Sequence, residues 1–332
     1  MAEHEVLLET RNVKKWFPVR RGLLNRTTNH VKAVDDVSIT VRAGETLGIV
    51  GESGCGKSTL ARSILRLIEP TGGEVLFEGK DLTKASPSEL RELRRDIQII
   101  FQDPYASLNP RQRIGSMLME PFEIHHLASG AEARKKAEEL LEMVGLPKES
   151  MRKFPHEFSG GQRQRLCIAR ALAVNPKLIV CDECVSALDV SIQAQIINLL
   201  MKLQKQLGIA LIFVSHDLRV VRHISNHVAV MYLGRVVEYA PTEELFANPV
   251  HPYTKALLSA VPVPDPTVEM QRIVLHGELP SPIALPSGCP FHTRCCMAQE
   301  RCKEQVPEAV AINAEHTCSC LKAQPGGAAV DC

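Results

Sequence analysis

Apolar residues along the 332-residue chain fall into two patterns. Short apolar runs, Thr46–Val50 (TLGIV), Ile97–Phe101 (IQIIF, with one glutamine), Leu178–Val180 (LIV) and Ile209–Val214 (IALIFV), have the length of strands, and LIV has the pattern of a fully buried one. Other stretches repeat at three- and four-residue spacing. LARSILRLI follows the first run, and from Asp103 to about Ala173 the pattern turns helical, with Ala137, Leu140, Leu141 and Val144 on one face of AEARKKAEELLEMVGL. Alternating strand and helix patterns predict a mostly parallel sheet covered on both faces, over about residues 1–261, with a helical subdomain at about 103–173. Seven prolines between Pro262 and Pro290 then break any long helix and predict a separate, loop-rich tail, 262–332.

The turn after the first strand carries candidate chemistry. Gly51 to Ser58, GESGCGKS, fits G-x-x-x-x-G-K-[ST] and opens into the first helical stretch, the context a phosphate-binding loop demands. Gly51, Gly54 and Gly56 let backbone N–H groups converge on a phosphate, and Glu52, Ser53, Cys55 and Thr59 complete the loop and helix start. Lys57 is placed to reach the β- and γ-phosphates, and Ser58 to ligate Mg²⁺. The run at Leu178 ends in Asp182, suited to hold Mg²⁺, and Glu183, suited to polarise a water as general base. SALD (Ser186–Asp189) follows, and SHD (Ser215–Asp217) follows the last apolar run. Between phosphate loop and acids lies FSGGQRQR, Phe158–Arg165.

Together these motifs resemble the ATP-binding cassette family, the ATPase subunits of ABC transporters, over about the first 260 residues. FSGGQ is similar to the family signature, with Phe158 where leucine is commoner. SALD resembles its D-loop, ending in Asp189, and His216 and Gln102 occupy its switch-histidine and Q-loop positions. The resemblance implies a RecA-like P-loop fold with an antiparallel β subdomain. It also implies that Ser159, Gly160, Gly161 and Gln162 bind the γ-phosphate of a nucleotide held by another subunit, that His216 contacts that phosphate, and that Gln102 couples metal and water to the transporter. Phe17 resembles the aromatic that stacks on adenine; Trp16 and Phe17 also read as ordinary core. Cys184 stands where relatives usually carry proline. SLNPR (Ser107–Arg111), NPVHPYTKALLSA (Asn248–Ala260) and HGELPSP (His276–Pro282) resemble the dipeptide and oligopeptide importer ATPases. That resemblance implies a homologous ATPase subunit or a second copy, two polytopic permease subunits and an external substrate-binding protein as partners. Importers of other solutes such as nickel chelates, and soluble ABC ATPases, remain alternatives.

Composition narrows the classes further. A net charge of +1 supplies no global field for nucleic acid, and Arg91–Arg95 reads as a solvated helix face. No apolar run approaches the ~20 residues that span a bilayer, and MAEHEVLLE lacks a basic start and long apolar segment. The expected place is the cytoplasmic face of the membrane, held peripherally.

Seven of the 11 cysteines, Cys289, Cys295, Cys296, Cys302, Cys318, Cys320 and Cys332, crowd the last 44 residues. In a reducing compartment stable disulfides are not expected, so the clustered thiols point to a metal. The spacing Cys289, Cys295, Cys302, Cys320 resembles the tail pattern of this transporter subfamily, which implies a [4Fe–4S] cluster. Zinc is the runner-up, and Cys318 is the alternative fourth ligand; His316 and Cys320 keep the subfamily's H-x-x-x-C interval. The tail is expected to act as a structural staple, with ATP hydrolysis independent of it.

Overall fold

The computed structural model describes residues 5–21, 26–262 and 272–323. Pro264, Pro266 and Cys332 lie outside these, as do the first four residues. The strands in chain order are β1 Val6–Arg21, β2 Arg26–Arg42, β3 Thr46–Val50, β4 Gly72–Phe77, β5 Lys80–Asp81, β6 Ile97–Ile100, β7 Leu178–Asp182, β8 Ala210–Val214, β9 His227–Tyr232, β10 Arg235–Pro241, β11 Val310–Ala311 and β12 Thr317–Cys318.

The chain divides into two units. One holds Val41–Glu45 and Lys84–Val214. Here β6, β7 and β8 run parallel, with Ile97 opposite Leu178 and Asp182 opposite Val214. Every residue of β7 and β8 is buried, as unbroken apolar runs require of a strand covered on both faces. Helices Ile114–Ile124, Gly130–Met143, Gly160–Leu172 and Val190–Leu207 belong to this unit. Ala137, Leu140, Leu141 and Val144 are all buried. On the opposite face of the same helix, Arg134–Glu138 and Lys136–Glu132 pair at i,i+4, so the period seen in the sequence separates core from water.

The other unit holds Leu8–Thr40, Thr46–Thr83 and Ser215–Cys332. A four-stranded antiparallel sheet runs β2-β1-β4-β5. Separately, β3 pairs in parallel with β9, β9 antiparallel with β10, and β10 antiparallel with β12. Residues 215–332 fall in one unit with the phosphate loop, and β11 and β12 extend the sheet from the tail. The reason is physical: β10 presents an edge of N–H and C=O groups, and β12 satisfies part of it.

Glu238 on β10 fixes this assembly. Its fully buried carboxyl accepts from the N–H groups of Val250 (2.7 Å) and His251 (3.0 Å), and His316 Nε2 lies 2.8 Å from the same group. It thereby sets the start of helix Pro252–Ser259 and the return of the tail. His251 caps that helix, its Nδ1 accepting from the N–H of Tyr253.

Burial pushes the His251 imidazole down from 6.5 to about 4, against the opposing pull of Glu238. The unfolded chain therefore takes up a proton that the folded chain refuses. Stability is full above about pH 6.5 and falls as pH drops toward about 4. Between about pH 6.5 and 5 the loss should be about 1.5 kcal/mol, and His251→Asn, which keeps a capping acceptor, should remove that slope. Urea melts of both proteins at the two pH values check this; an unchanged slope in the variant would mean that His251 does not stay neutral.

Candidate functional site

The phosphate loop lies between β3 and helix Lys57–Ile64. Its glycines are there for backbone reasons. Gly51 (φ 150°) and Gly56 (φ 106°) hold positive φ, and a Cβ would stand 2.2 Å from the Met231 carbonyl oxygen at the first and 2.0 Å from that of Ala33 at the second. Gly54 (φ 80°) faces open space beside the exposed Ser53. The Lys57 ammonium is buried and donates to the carbonyls of Gly51 (2.9 Å) and Glu52 (3.1 Å), which keeps it folded against its own loop. Cys55 is buried, and the thiol is pushed up by burial. Ser58 and Thr59 are half-buried on the first helical turn.

In the same unit, Ser215 donates its N–H to Ile49 at 3.1 Å and receives that of Asp217 on its hydroxyl at 3.0 Å. This leaves His216 exposed at the turn. Phe17 is half-buried on β1 with the Lys15 ammonium 4.9 Å from its ring centroid. Trp16, its neighbour, is committed elsewhere: its indole N–H donates to Asp35 at 3.1 Å, and Lys32 lies over its ring at 4.6 Å.

The other unit holds the acids. Asp182 ends β7, 1% exposed, and Glu183 follows with φ 48°, a left-handed backbone that costs a non-glycine residue energy. The turn is held by Glu183, which donates its N–H to Val214 (3.1 Å) and whose carbonyl accepts the Ser186 hydroxyl at 2.9 Å. The same hydroxyl accepts from Gln102 Nε2 at 3.4 Å. Gln102, Ser186 and Glu183, from three separate motifs, thus form one hydrogen-bonded chain, in which Ser186 is the member sequence reasoning did not single out. Cys184 is buried, and its hydrogen bond with Cys181, followed by burial, holds the Cys181 thiol above its ordinary range.

Ser159 caps helix Gly160–Leu172 in a reciprocal box: its N–H donates to Gln162 Oε1 at 3.0 Å, and the Gln162 N–H to its hydroxyl at 3.4 Å. Phe158 is buried, whereas Ser159 and Gln162 are exposed. Gly161 admits Ile192, whose Cγ2 would stand 2.5 Å from an added Cβ. Asp189 is exposed at the start of helix Val190–Leu207.

Tail cysteines Cys289, Cys295, Cys302 and Cys320 line one small cavity together. Burial first, with smaller contributions from the other three thiols, pushes Cys289 up to about 11. Cys318 sits instead in an apolar cluster with Val250 and Ala323, its thiol raised by burial. His316 joins Glu238, not this cavity. Cys296 is in a disulfide, contrary to the expectation of none. Among the described residues no three His, Cys, Asp or Glu side chains form a ready-made metal-binding group, so the four thiols share a cavity without converging on one point. The described residues include no helix long and apolar enough to cross a membrane.

Phosphate loop, paired strand-end acids and capped signature helix define an ATP-binding cassette, and comparison with known proteins agrees. Residues 34–186 match the ABC transporter family, and residues 237–302 match the family described as oligopeptide/dipeptide transporter, C-terminal region. The chain is 55% identical over 322 residues to the oligopeptide transport ATP-binding protein AppF of Bacillus subtilis, covering 96% of this chain and 98% of that protein. It is 51% identical over 326 residues to OppF of Escherichia coli K12, covering 97% of each. A dimeric ATP-binding cassette in a post-hydrolysis state bound to ADP and Pi superposes with a TM-score of 0.63 at 32% identity, over 71% of this chain and 99% of that one. The chain belongs to the ABC transporter ATP-binding subunits of the oligopeptide/dipeptide transporter family, and it is an ATPase of that class.

Proposed function

We propose that this ATPase powers import of dipeptides or oligopeptides, in line with its relatives AppF and OppF, which are oligopeptide transport ATP-binding proteins. Two cassettes, this chain with a homologous subunit or a second copy, would close on two Mg·ATP against a pair of permease subunits at the cytoplasmic face of the membrane. An external substrate-binding protein would deliver the peptide. Residues 1–261 would supply the nucleotide-binding domain and 262–332 the transporter-specific tail.

In this reading the phosphate loop, Gly51 to Thr59, binds the triphosphate, with Lys57 as its cation; Phe17 stacks on the base. Ser58, Gln102 and Asp182 would hold Mg²⁺, which would supply charge neutralisation on the phosphates. Glu183 orients and deprotonates the attacking water, and His216 meets the γ-phosphate. The partner's nucleotide is taken by Ser159, Gly160, Gly161 and Gln162. The hydrogen-bonded chain Gln102–Ser186–Glu183 carries the reading furthest, because it ties the residue at the Q-loop position to the backbone carbonyl of the general base. Closure uses ATP mechanically: nucleotide favours the closed dimer by its differential affinity, and hydrolysis releases it.

The tail thiols fit a cysteine-bound metal group in their chemistry. Four sulfur donors on one cavity are the donor set of a [4Fe–4S] cluster, and also of zinc. Binding either requires the thiols to lose protons and draw together. Cys320 lines that cavity and Cys318 does not, although Cys320 also packs against the cluster that holds Cys318; the lining supports Cys289, Cys295, Cys302 and Cys320 as the ligands.

Glu183→Gln should retain Mg·ATP binding, favour an ATP-closed dimer and lower turnover by ~10²-fold or more, the scale of a lost general base. Near-normal phosphate release by that variant would sink the assignment. Ser159→Arg should block nucleotide-driven dimerisation, followed by light scattering, while the monomer still binds ATP; equal loss of monomer binding would mean that the signature acts within its own chain. Anaerobically purified chain should carry about four irons and absorb broadly near ~400 nm. Serine at Cys289, Cys295, Cys302 or Cys320 should bleach it and serine at Cys318 should not; a colourless protein with stoichiometric zinc transfers the ligands to that metal.

A further inference from the structure

The tail makes direct contact with the phosphate loop. Between Cys289 and Cys295, Phe291 is buried against Tyr232 and Tyr253, with ring centroids 5.2 and 5.4 Å apart. Three residues on, Arg294 Nη1 donates to both carboxyl oxygens of Glu52, at 3.1 and 2.9 Å. The Arg294 side chain is only 9% exposed, so this pair is screened far less than a surface bridge. The Glu52 backbone is held as well, since its N–H donates to the Tyr253 hydroxyl at 2.9 Å. Its carbonyl accepts from Lys57 at 3.1 Å. One residue of the phosphate loop is therefore fixed at side chain, N–H and C=O, twice by groups from beyond residue 250.

Charge gives this arrangement a purpose. Glu52 puts a carboxylate in the loop that receives a polyphosphate, and like charges in one loop repel. Arg294 offsets that charge and fixes where it points. We propose that Arg294 is a positioning residue for nucleotide binding: by neutralising and orienting Glu52 it keeps the phosphate loop able to accept Mg·ATP, which makes the cysteine-bearing tail part of the nucleotide site. This replaces the expectation that ATP chemistry is independent of the tail, and it rests on the nucleotide reading of Gly51–Ser58.

A fluorescent ATP analogue titrated with Mg²⁺ into the full-length chain tests it as a double-mutant cycle. Arg294→Ala should weaken binding about 5–10-fold, within the span of ordinary coupling between sites. Arg294→Lys should restore part of the loss, because a single ammonium keeps the charge without the guanidinium geometry. In a Glu52→Gln background the same Arg294→Ala change should cost less than about two-fold, since no carboxylate remains to be neutralised. Equal losses in both backgrounds would make Arg294 a tail anchor only, and no loss in the first would remove its role; either overturns the proposal. If Arg294→Ala fails to fold, Arg294→Gln in the two backgrounds gives the same comparison. Absence of Mg·ATP binding by the unsubstituted chain would defeat the nucleotide reading itself, an outcome separate from any difference among the variants.

Discussion

A fully buried carboxyl must find hydrogen-bond donors inside the protein or cost several kcal/mol, and Glu238 finds them on two separate segments. The N–H groups of Val250 and His251 come to it, which fixes where helix Pro252–Ser259 begins. That start places Tyr253, and the Tyr253 hydroxyl receives the N–H of Glu52 in the phosphate loop. His316 comes to the same carboxyl from the tail, and two residues later Cys318 joins β10 as part of β12. One buried acid thus sets the register of a helix, a tail strand and, through the helix, one residue of the loop that meets nucleotide.

The phosphate loop shows how little freedom its sequence has. Gly51 and Gly56 are pressed against carbonyl oxygens of Met231 and Ala33, so the loop is wedged by backbone from β9 and β2. Lys57 is turned inward onto Gly51 and Glu52. Such a loop is pre-shaped, and a ligand that fits it spends little binding energy on ordering it. The acids follow a similar logic by another route: Glu183 holds a left-handed backbone because Val214 and Ser186 hold both sides of its peptide. Strain of this kind persists only where the surroundings over-determine it.

Much of this was legible in the sequence, because the chemistry depends on short local patterns. A glycine loop between an apolar run and a helical stretch has few other meanings, and the runs at Thr46, Leu178 and Ile209 proved to be β3, β7 and β8 within two residues. Pairings between residues far apart were not legible. Nothing near Glu52 announces Arg294, 242 positions on, and Glu238 reads as a polar residue in a strand until His316, 78 positions later, is brought to it. The tail strands escaped notice for a different reason. β11 and β12 are two residues each, too short for any period, and they form because β10 offers them an edge.

The tail also shows what composition leaves out. Prolines and clustered cysteines mark residues 262–332 as a segment with little core of its own, and a metal staple is the natural remedy. The structure adds a second remedy: Phe291 borrows an aromatic cluster from Tyr232 and Tyr253, and His316 and Cys318 borrow a buried acid and an edge strand. Those contacts are made with the unit that carries the phosphate loop. A segment stabilised by borrowing cannot be energetically separate from its lender, and here the loan runs as far as the phosphate loop itself, through the Arg294–Glu52 pair.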